Sequence, residues 1–209
     1  MEDKKNNPVR VILIEDNRFI RNGIEMILNA EKDFILSGSY PSCEDAFYYQ
    51  EIGKAQIVLM DIMLPGITGI DGIKYLKKNF PDVLTVVCTA YEDDKNIFEA
   101  IEAGAVGFIS KKTPSEQLIS TLRNVSVGGS PMTPNVARFI MHSFYSQNGK
   151  RIIKDPVLTE IENQILDKIS IGKSYTTVAI EQSINEKELF KAIRSIYGKL
   201  QNKPHKLEI

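Results

Sequence analysis

Asp61 closes an apolar run, Ile57-Val58-Leu59-Met60, and opens the loop Ile62-Met63-Leu64-Pro65-Gly66-Ile67-Thr68-Gly69. A short apolar run bounded by Pro and Gly reads as a buried parallel strand ending in a tight turn. Three further runs end in reactive groups. Val9 to Ile14 runs into Glu15-Asp16, Thr85 to Cys88 ends at the hydroxyl of Thr89, and Val106 to Ser110 runs into Lys111. Open α/β sheets bind their ligands at the carboxyl ends of their strands. These four strand ends therefore offer three carboxylates, a hydroxyl and an amine to one crevice.

Three carboxylates at close quarters repel, and a divalent cation with oxygen ligands keeps them ionised together. Mg²⁺ suits such a site, because it binds through a few carboxylates, keeps waters and shares phosphate oxygens. One carboxylate can then act as a nucleophile toward a phosphoryl group, giving an acyl phosphate. Lys111 would bring positive charge to one phosphoryl oxygen and Thr89 a hydrogen bond to another. Positioning and charge neutralisation are most of what phosphoryl transfer needs. An isolated Asp at a strand end reads as a turn former or cap; four matching strand ends in order do not.

The elements that must position these groups follow from pattern. Strands are expected at 9–14, 34–39, 56–61, 83–89 and 106–110, with helices at about 18–30, 42–52, 70–79, 94–103 and 114–126. Phe19, Ile20, Ile24, Ile27 and Leu28 give the first helix an apolar stripe for a sheet. Thr113-Pro114-Ser115-Glu116 predicts a capping box with Pro at the first helical position. Strands alternating with helices imply a parallel sheet of five strands, covered on both sides and joined by right-handed crossovers.

Residues 8 to about 128 resemble a response-regulator receiver domain. The resemblance rests on Glu15-Asp16, Asp61 with Pro65 and Gly69 after it, Thr89-Ala90, Gly104-Ala105 and Lys111. It implies a doubly wound, flavodoxin-like α/β fold and phosphorylation of Asp61 by a sensor histidine kinase. It implies that Glu15, Asp16, Asp61 and the backbone carbonyl of Met63 hold Mg²⁺. Thr89 and Phe108 match its switch positions, Phe108 turning inward as Thr89 moves toward the phosphoryl group; a plain core role for Phe108 is compatible with this. Met63 and Tyr91 would shield the acyl phosphate, and residues 94–126 would form the dimer face.

Composition agrees with two small domains in a reducing, cytoplasmic setting. The chain has 209 residues and two cysteines, Cys43 and Cys88, too few for a disulfide framework. The polar start carries no signal-peptide core, and no stretch approaches the ~20 apolar residues of a membrane span. Residues 1–149 hold 15 Lys+Arg against 19 Asp+Glu, net −4, whereas residues 150–209 hold 11 against 8, net +3. An acidic front and a mildly basic back are compatible with a metal site followed by a nucleic-acid module.

Gly128-Gly129-Ser130-Pro131 ends the βα pattern. We place the first domain at 1–128, a linker with a short helix (135 to about 144) at 129–154, and an all-α domain at 155–209. The linker helix could dock on either domain, and Gln147-Asn148-Gly149-Lys150 reads as a flexible stretch. In the third segment, Thr159 with Glu162 predicts a second capping box. Ile161, Ile165, Leu166 and Ile169 form a stripe before Gly172, and Ser174 caps a helix at 175–182. Asn185 caps the last helix, with Leu189, Ile193, Ile196, Tyr197 and Leu200 on one side and Lys187, Lys191, Arg194 and Lys199 on the other. Two helices and a short turn, the second helix basic on its exposed face, describe a helix-turn-helix.

Segment 157–200 is similar to the helix-turn-helix domain of the NarL/LuxR type through Leu158-Thr159, Glu162, Ile165-Leu166, Gly172, Ser174, Val178-Ala179, Ile184 and Ile196-Tyr197 with Lys199-Leu200. It departs from that pattern at Ile161, where arginine is usual, and at Gln182, where an apolar residue is usual. Glu188, Phe190 and Ala192 replace its usual recognition-helix residues, and the register makes Phe190 an exposed aromatic. Ser174, Lys187, Lys191, Arg194 and Lys199 are the expected DNA contacts, chiefly to phosphates.

Two outputs follow. In one, phosphorylation drives homodimerisation and DNA binding in a transcription regulator. In the other, the module has lost DNA binding and works through protein contacts around Phe190. A small-molecule hydrolase with an aspartyl nucleophile is rejected: its general acid would stand two residues after Asp61, at Met63, which cannot transfer a proton. The chain is therefore not expected to be an enzyme beyond accepting and slowly losing its own phosphoryl group.

Overall fold

The computed structural model describes residues 7–91, 93–144 and 158–201. The stretch 147–150 and the chain ends fall outside them. Five strands form one parallel sheet in the order β2-β1-β3-β4-β5: β1 (Val9–Ile14), β2 (Phe34–Tyr40), β3 (Ile57–Met60), β4 (Leu84–Thr89) and β5 (Gly107–Ser110). Side chains alternate across it, as strand geometry requires. Ile57 and Leu59 join Ile24, Leu28, Leu118 and Leu122 on one face, while Val58 and Met60 join Ile73, Leu76, Ile97 and Ile101 on the other. Helices α1 (Arg18–Asn29) and α5 (Ser115–Ser126) therefore cover one face, and α2 (Cys43–Tyr48), α3 (Gly69–Asn79) and α4 (Asp94–Ala103) the other.

The doubly wound fold is as expected, with three local differences. Phe19 leaves the α1 stripe and is 89% exposed, because helical spacing puts it on the side of Met26, 75% exposed, while Ile20, Ile24 and Leu28 turn to the sheet. The second helix stops at Tyr48; Tyr49 turns extended, and a 3-10 helix takes over at Gln50–Lys54. α5 has no side-chain cap. Pro114 precedes its first residue, and the Pro114 carbonyl accepts from the Gln117 and Leu118 amides instead.

Beyond the sheet, α6 (Pro134–Phe144) is followed by α7 (Glu160–Ser170), α8 (Tyr175–Glu181) and α9 (Glu186–Gln201). The predicted caps form. Thr159 and Glu162 make a reciprocal capping box, and the Ser174 hydroxyl accepts from the Thr177 amide. Asn185 and Glu188 exchange the same pair of bonds at the start of α9, each at 3.0 Å. Glu188 is thus fixed by helix initiation.

The linker helix docks on both sides. α6 packs on α4 and on α7, α9 packs on α4, and Val136, Ala137 and Ile140 are buried. Pro131 lies so close to Gly107 that a Cβ there would come within 2.4 Å of the proline ring. One apolar core consequently runs from Ile12 in β1 to Tyr197 in α9.

Candidate functional site

The strand ends converge. Asp61 continues β3 by donating its amide to the Ile14 carbonyl at 3.0 Å, and Lys111 continues β5 by donating its amide to the Thr89 carbonyl at 2.9 Å. Gly69 opens α3 directly against this turn: a Cβ would stand 2.0 Å from the Asp61 carbonyl oxygen. Only a residue without a side chain fits there.

Lys111 bridges the two buried carboxylates. Its Nζ lies 2.7 Å from Asp61 Oδ2 and 2.7 Å from Glu15 Oε2. Asp16 stands exposed beside them, and each of the three carboxylates offers an oxygen within 4.8 Å of the others. Burial pushes the Glu15 carboxyl up, against the opposing pull of Lys111. Burial works to lower the Lys111 ammonium, but hydrogen bonds and charge from Asp61 and Glu15 outweigh it and hold it above its ordinary value.

The residues fit Mg²⁺ on two counts. Asp61 Oδ1 is shut off from solvent and has no hydrogen-bond partner, a costly state unless another ligand completes it. With all three carboxylates ionised, one ammonium leaves the cluster two negative charges in excess, the complement of a divalent cation. Met63, two residues after Asp61 in the same loop, is 52% exposed, and Tyr91, two residues after Thr89, is 53% exposed. Thr89 is fully buried, and its hydroxyl accepts from the Tyr91 amide at 3.2 Å. Phe108 is 3% exposed and packs in the core that continues into the C-terminal helices.

The receiver domain family of response regulators matches residues 11–123. The chain belongs to that family. Relatives include the transcriptional regulatory protein YhcZ of Bacillus subtilis, 27% identical over 92% of this chain and 90% of its own length. The response regulator VraR of Staphylococcus aureus is 26% identical over the same shares. Among solved structures, RcsB of Salmonella typhimurium superposes with a TM-score of 0.59 at 20% identity, covering 95% of both chains. The response regulator ChrA of a heme-sensing system gives 0.55 at 25% identity, over 92% of this chain and 90% of that one. The fold of a two-domain response regulator is therefore shared end to end. Among the described residues no helix is long and apolar enough to cross a membrane.

The expected output contacts are distributed unevenly in this response regulator. Lys187 and Lys191 are exposed on α9. Lys199 is not a free contact: its Nζ is 2.5 Å from Glu162 Oε2, and its side chain is 22% exposed. The buried Glu162 carboxylate recruits it as counter-charge. Arg194 is exposed as well, and it borders a recess lined by Lys77 and Thr85 of the receiver domain. Ser174 is engaged as the α8 cap. Phe190 is 7% exposed rather than exposed, stacked edge-on to Tyr175 at 5.8 Å and lying over Gly129. A Cβ at Gly129 would stand 3.2 Å from the ring and 2.6 Å from the Asn124 carbonyl oxygen, a close approach between distant parts of the chain that no local pattern announces. Ile161 also leaves its predicted stripe and is 54% exposed, whereas Ile165, Leu166 and Ile169 are buried.

Sequence reasoning passed over Tyr175 and read Tyr197 only as part of the apolar side of the last helix. Both phenols hydrogen-bond to the backbone of the linker, at Met132 and Pro131.

Proposed function

We propose that a sensor histidine kinase phosphorylates this response regulator on Asp61 and that the modification controls transcription through the C-terminal helices. The observation that carries this reading is Asp61 itself: buried, with Oδ2 held by Lys111 and Oδ1 left without a partner. A carboxylate oxygen of Asp61 would attack the phosphorus of a phosphohistidine, forming the acyl phosphate as the phosphorus–nitrogen bond breaks. Lys111 and the Thr89 hydroxyl would meet the transferred oxygens. Mg²⁺ held by Glu15, Asp16, Asp61 and the Met63 carbonyl would neutralise phosphoryl charge.

DNA binding is supported by the helix-turn-helix and by the relatives' descriptions as transcriptional regulators. A solved RcsB structure holds two dimers on two DNAs, which supports a dimeric active form. In the docked arrangement α9 lies on α4, so DNA binding requires the receiver to release it. Phosphorylation would shift that equilibrium toward a released, dimeric state, with residues 94–126 as the dimer face.

A second reading has its own support. Glu186 and Glu188 flank Lys187 on α9, Lys199 is paired and Arg194, though exposed, stands beside the receiver. Those charges favour a module that has exchanged DNA for a protein partner, although not through Phe190, which is buried. Capture from a random DNA pool at low and moderate salt, with and without a beryllofluoride mimic on Asp61, separates the two. Mimic-dependent enrichment of a two-fold-symmetric motif supports the transcription regulator. No retention in either state, with the mimic shown bound, overturns it for the second reading.

A further inference from the structure

Between the receiver and α9 lies a recess of about 200 Å³ at the end of the sheet opposite Asp61, bordered by the starts of β4 and β5. Lys77 enters it from α3, Arg194 from α9 and Ser130 from the linker, and no lining residue is acidic. Ile73, Val83 and Tyr197 form apolar walls. Lys77 also borders a groove that carries Glu99 and Glu102, so Arg194 is the cation whose charge the recess holds most directly.

The decisive detail is Ser130. It is fully buried, and its Oγ has no hydrogen-bond partner. A hydroxyl sealed from water without a partner is disfavoured, and a ligand oxygen accepting from it would relieve that cost. The Arg194 guanidinium and an unpaired hydroxyl donor, with Lys77 at the border and no carboxylate in the lining, call for an oxyanion. The recess is smaller than the roughly 300–1,000 Å³ of pockets for drug-sized ligands, which excludes a nucleotide.

We propose that this recess is a binding site for a small tetrahedral oxyanion, inorganic phosphate being the cellular example. Arg194 and Lys77 supply the charge, and Ser130 Oγ–H donates to an anion oxygen. Because α3 belongs to the receiver and α9 to the output domain, the anion touches both and favours the docked arrangement over any state that parts them. The site rests on that arrangement and not on the chemistry of Asp61, so it stands or falls independently of phosphotransfer.

The test is calorimetric titration of the full chain with inorganic phosphate in excess chelator at constant ionic strength, with chloride as the blank. The chelator removes any contribution from a metal-loaded Asp61 site. The expected result is saturable binding in the millimolar range or tighter. Arg194→Gln should weaken it by about tenfold or more, and Lys95→Gln, outside the recess, should leave it unchanged. Lys77→Gln serves as the second variant should Arg194→Gln not fold. Phosphate should also slow amide exchange in both α3 and α9. Absence of saturable binding, equal binding by the Arg194 and Lys77 variants, or protection confined to one helix would overturn the proposal.

Discussion

The Tyr175 hydroxyl bonds to both backbone polar atoms of Met132, accepting from its amide at 2.5 Å and donating to its carbonyl at 2.9 Å. The Tyr197 hydroxyl donates to the neighbouring Pro131 carbonyl at 3.0 Å. Two side chains of the C-terminal bundle thus satisfy the backbone of the segment leading out of the receiver. Neither could do so if the bundle were displaced.

Tyr175→Phe keeps the ring against Phe190 but strands a buried amide and carbonyl. Stability should fall by about 1–3 kcal/mol, measured by urea unfolding. Alkali reports on the same contact. Burial pushes the Tyr175 phenol up to about 12, against the opposing Met132 bond, and burial and then Tyr175 push Tyr197 well above the usual 10.0. An unfolded phenol ionises first, so this stability is present below the ordinary value and lost as pH rises from there toward the native one. Ultraviolet titration should find two of the eight tyrosines ionising only with unfolding. A single uniform ionisation step would contradict the buried clamp.

Lys111→Met would leave Glu15 and Asp61 buried without their cation. We expect a loss of about 3 kcal/mol in chelator, with Mg²⁺ restoring more stability in the variant than in the parent. Paired denaturant curves with and without Mg²⁺ check this, and equal Mg²⁺ responses would count against carboxylates that share one cation.

One substitution should have opposite signs at two glycines. Gly69→Ala puts a methyl 2.0 Å from the Asp61 carbonyl and 2.7 Å from Ile62 Cα, both backbone. It should destabilise by about 1–3 kcal/mol and weaken beryllofluoride binding by displacing Asp61. Gly23, inside α1, has nothing within 4 Å of a new Cβ, so Gly23→Ala should stabilise by about 0.5–1 kcal/mol. Thermal melts of both variants decide it.

Glu162 binds Lys199, the Ser195 hydroxyl and the Thr159 amide. Burial works to raise its carboxyl, but these partners hold it below the ordinary 4.5. Its contribution is therefore complete above the unfolded value and lost as pH falls through the native one. Glu162→Gln should cost about 1–2 kcal/mol at neutral pH and flatten the acid limb of a melting-temperature profile. An unchanged acid limb would remove Glu162 from the account.

The strand ends could be read from sequence because buried parallel strands are written as short apolar runs, and their terminal Glu15, Asp61, Thr89 and Lys111 break those runs. Caps at Thr159, Ser174 and Asn185 were readable for the same local reason. Partnerships across the chain were not. The apolar face of α6 announces burial without naming α4 and α7 as its neighbours, and nothing local to Phe190 names Gly129, against which its ring packs. Lys199 carries the same charge as Lys187, yet the buried carboxylate of Glu162, 37 residues away, claims it. Phe19 and Ile161 show the converse: each stands one residue before a position that turns inward, Ile20 and Glu162, and one step of about 100° round the helix takes it off the core face.

The uninterrupted core from Ile12 to Tyr197 bears on how such a chain can be recombined. Its two halves are not interchangeable cassettes. A chimera joining this bundle to a foreign receiver would lose the seats of Met132, Val136 and Ile140 and leave an oily seam open to water. Successful exchanges would have to carry α4, Gly107 and Gly129 along with the helices they receive.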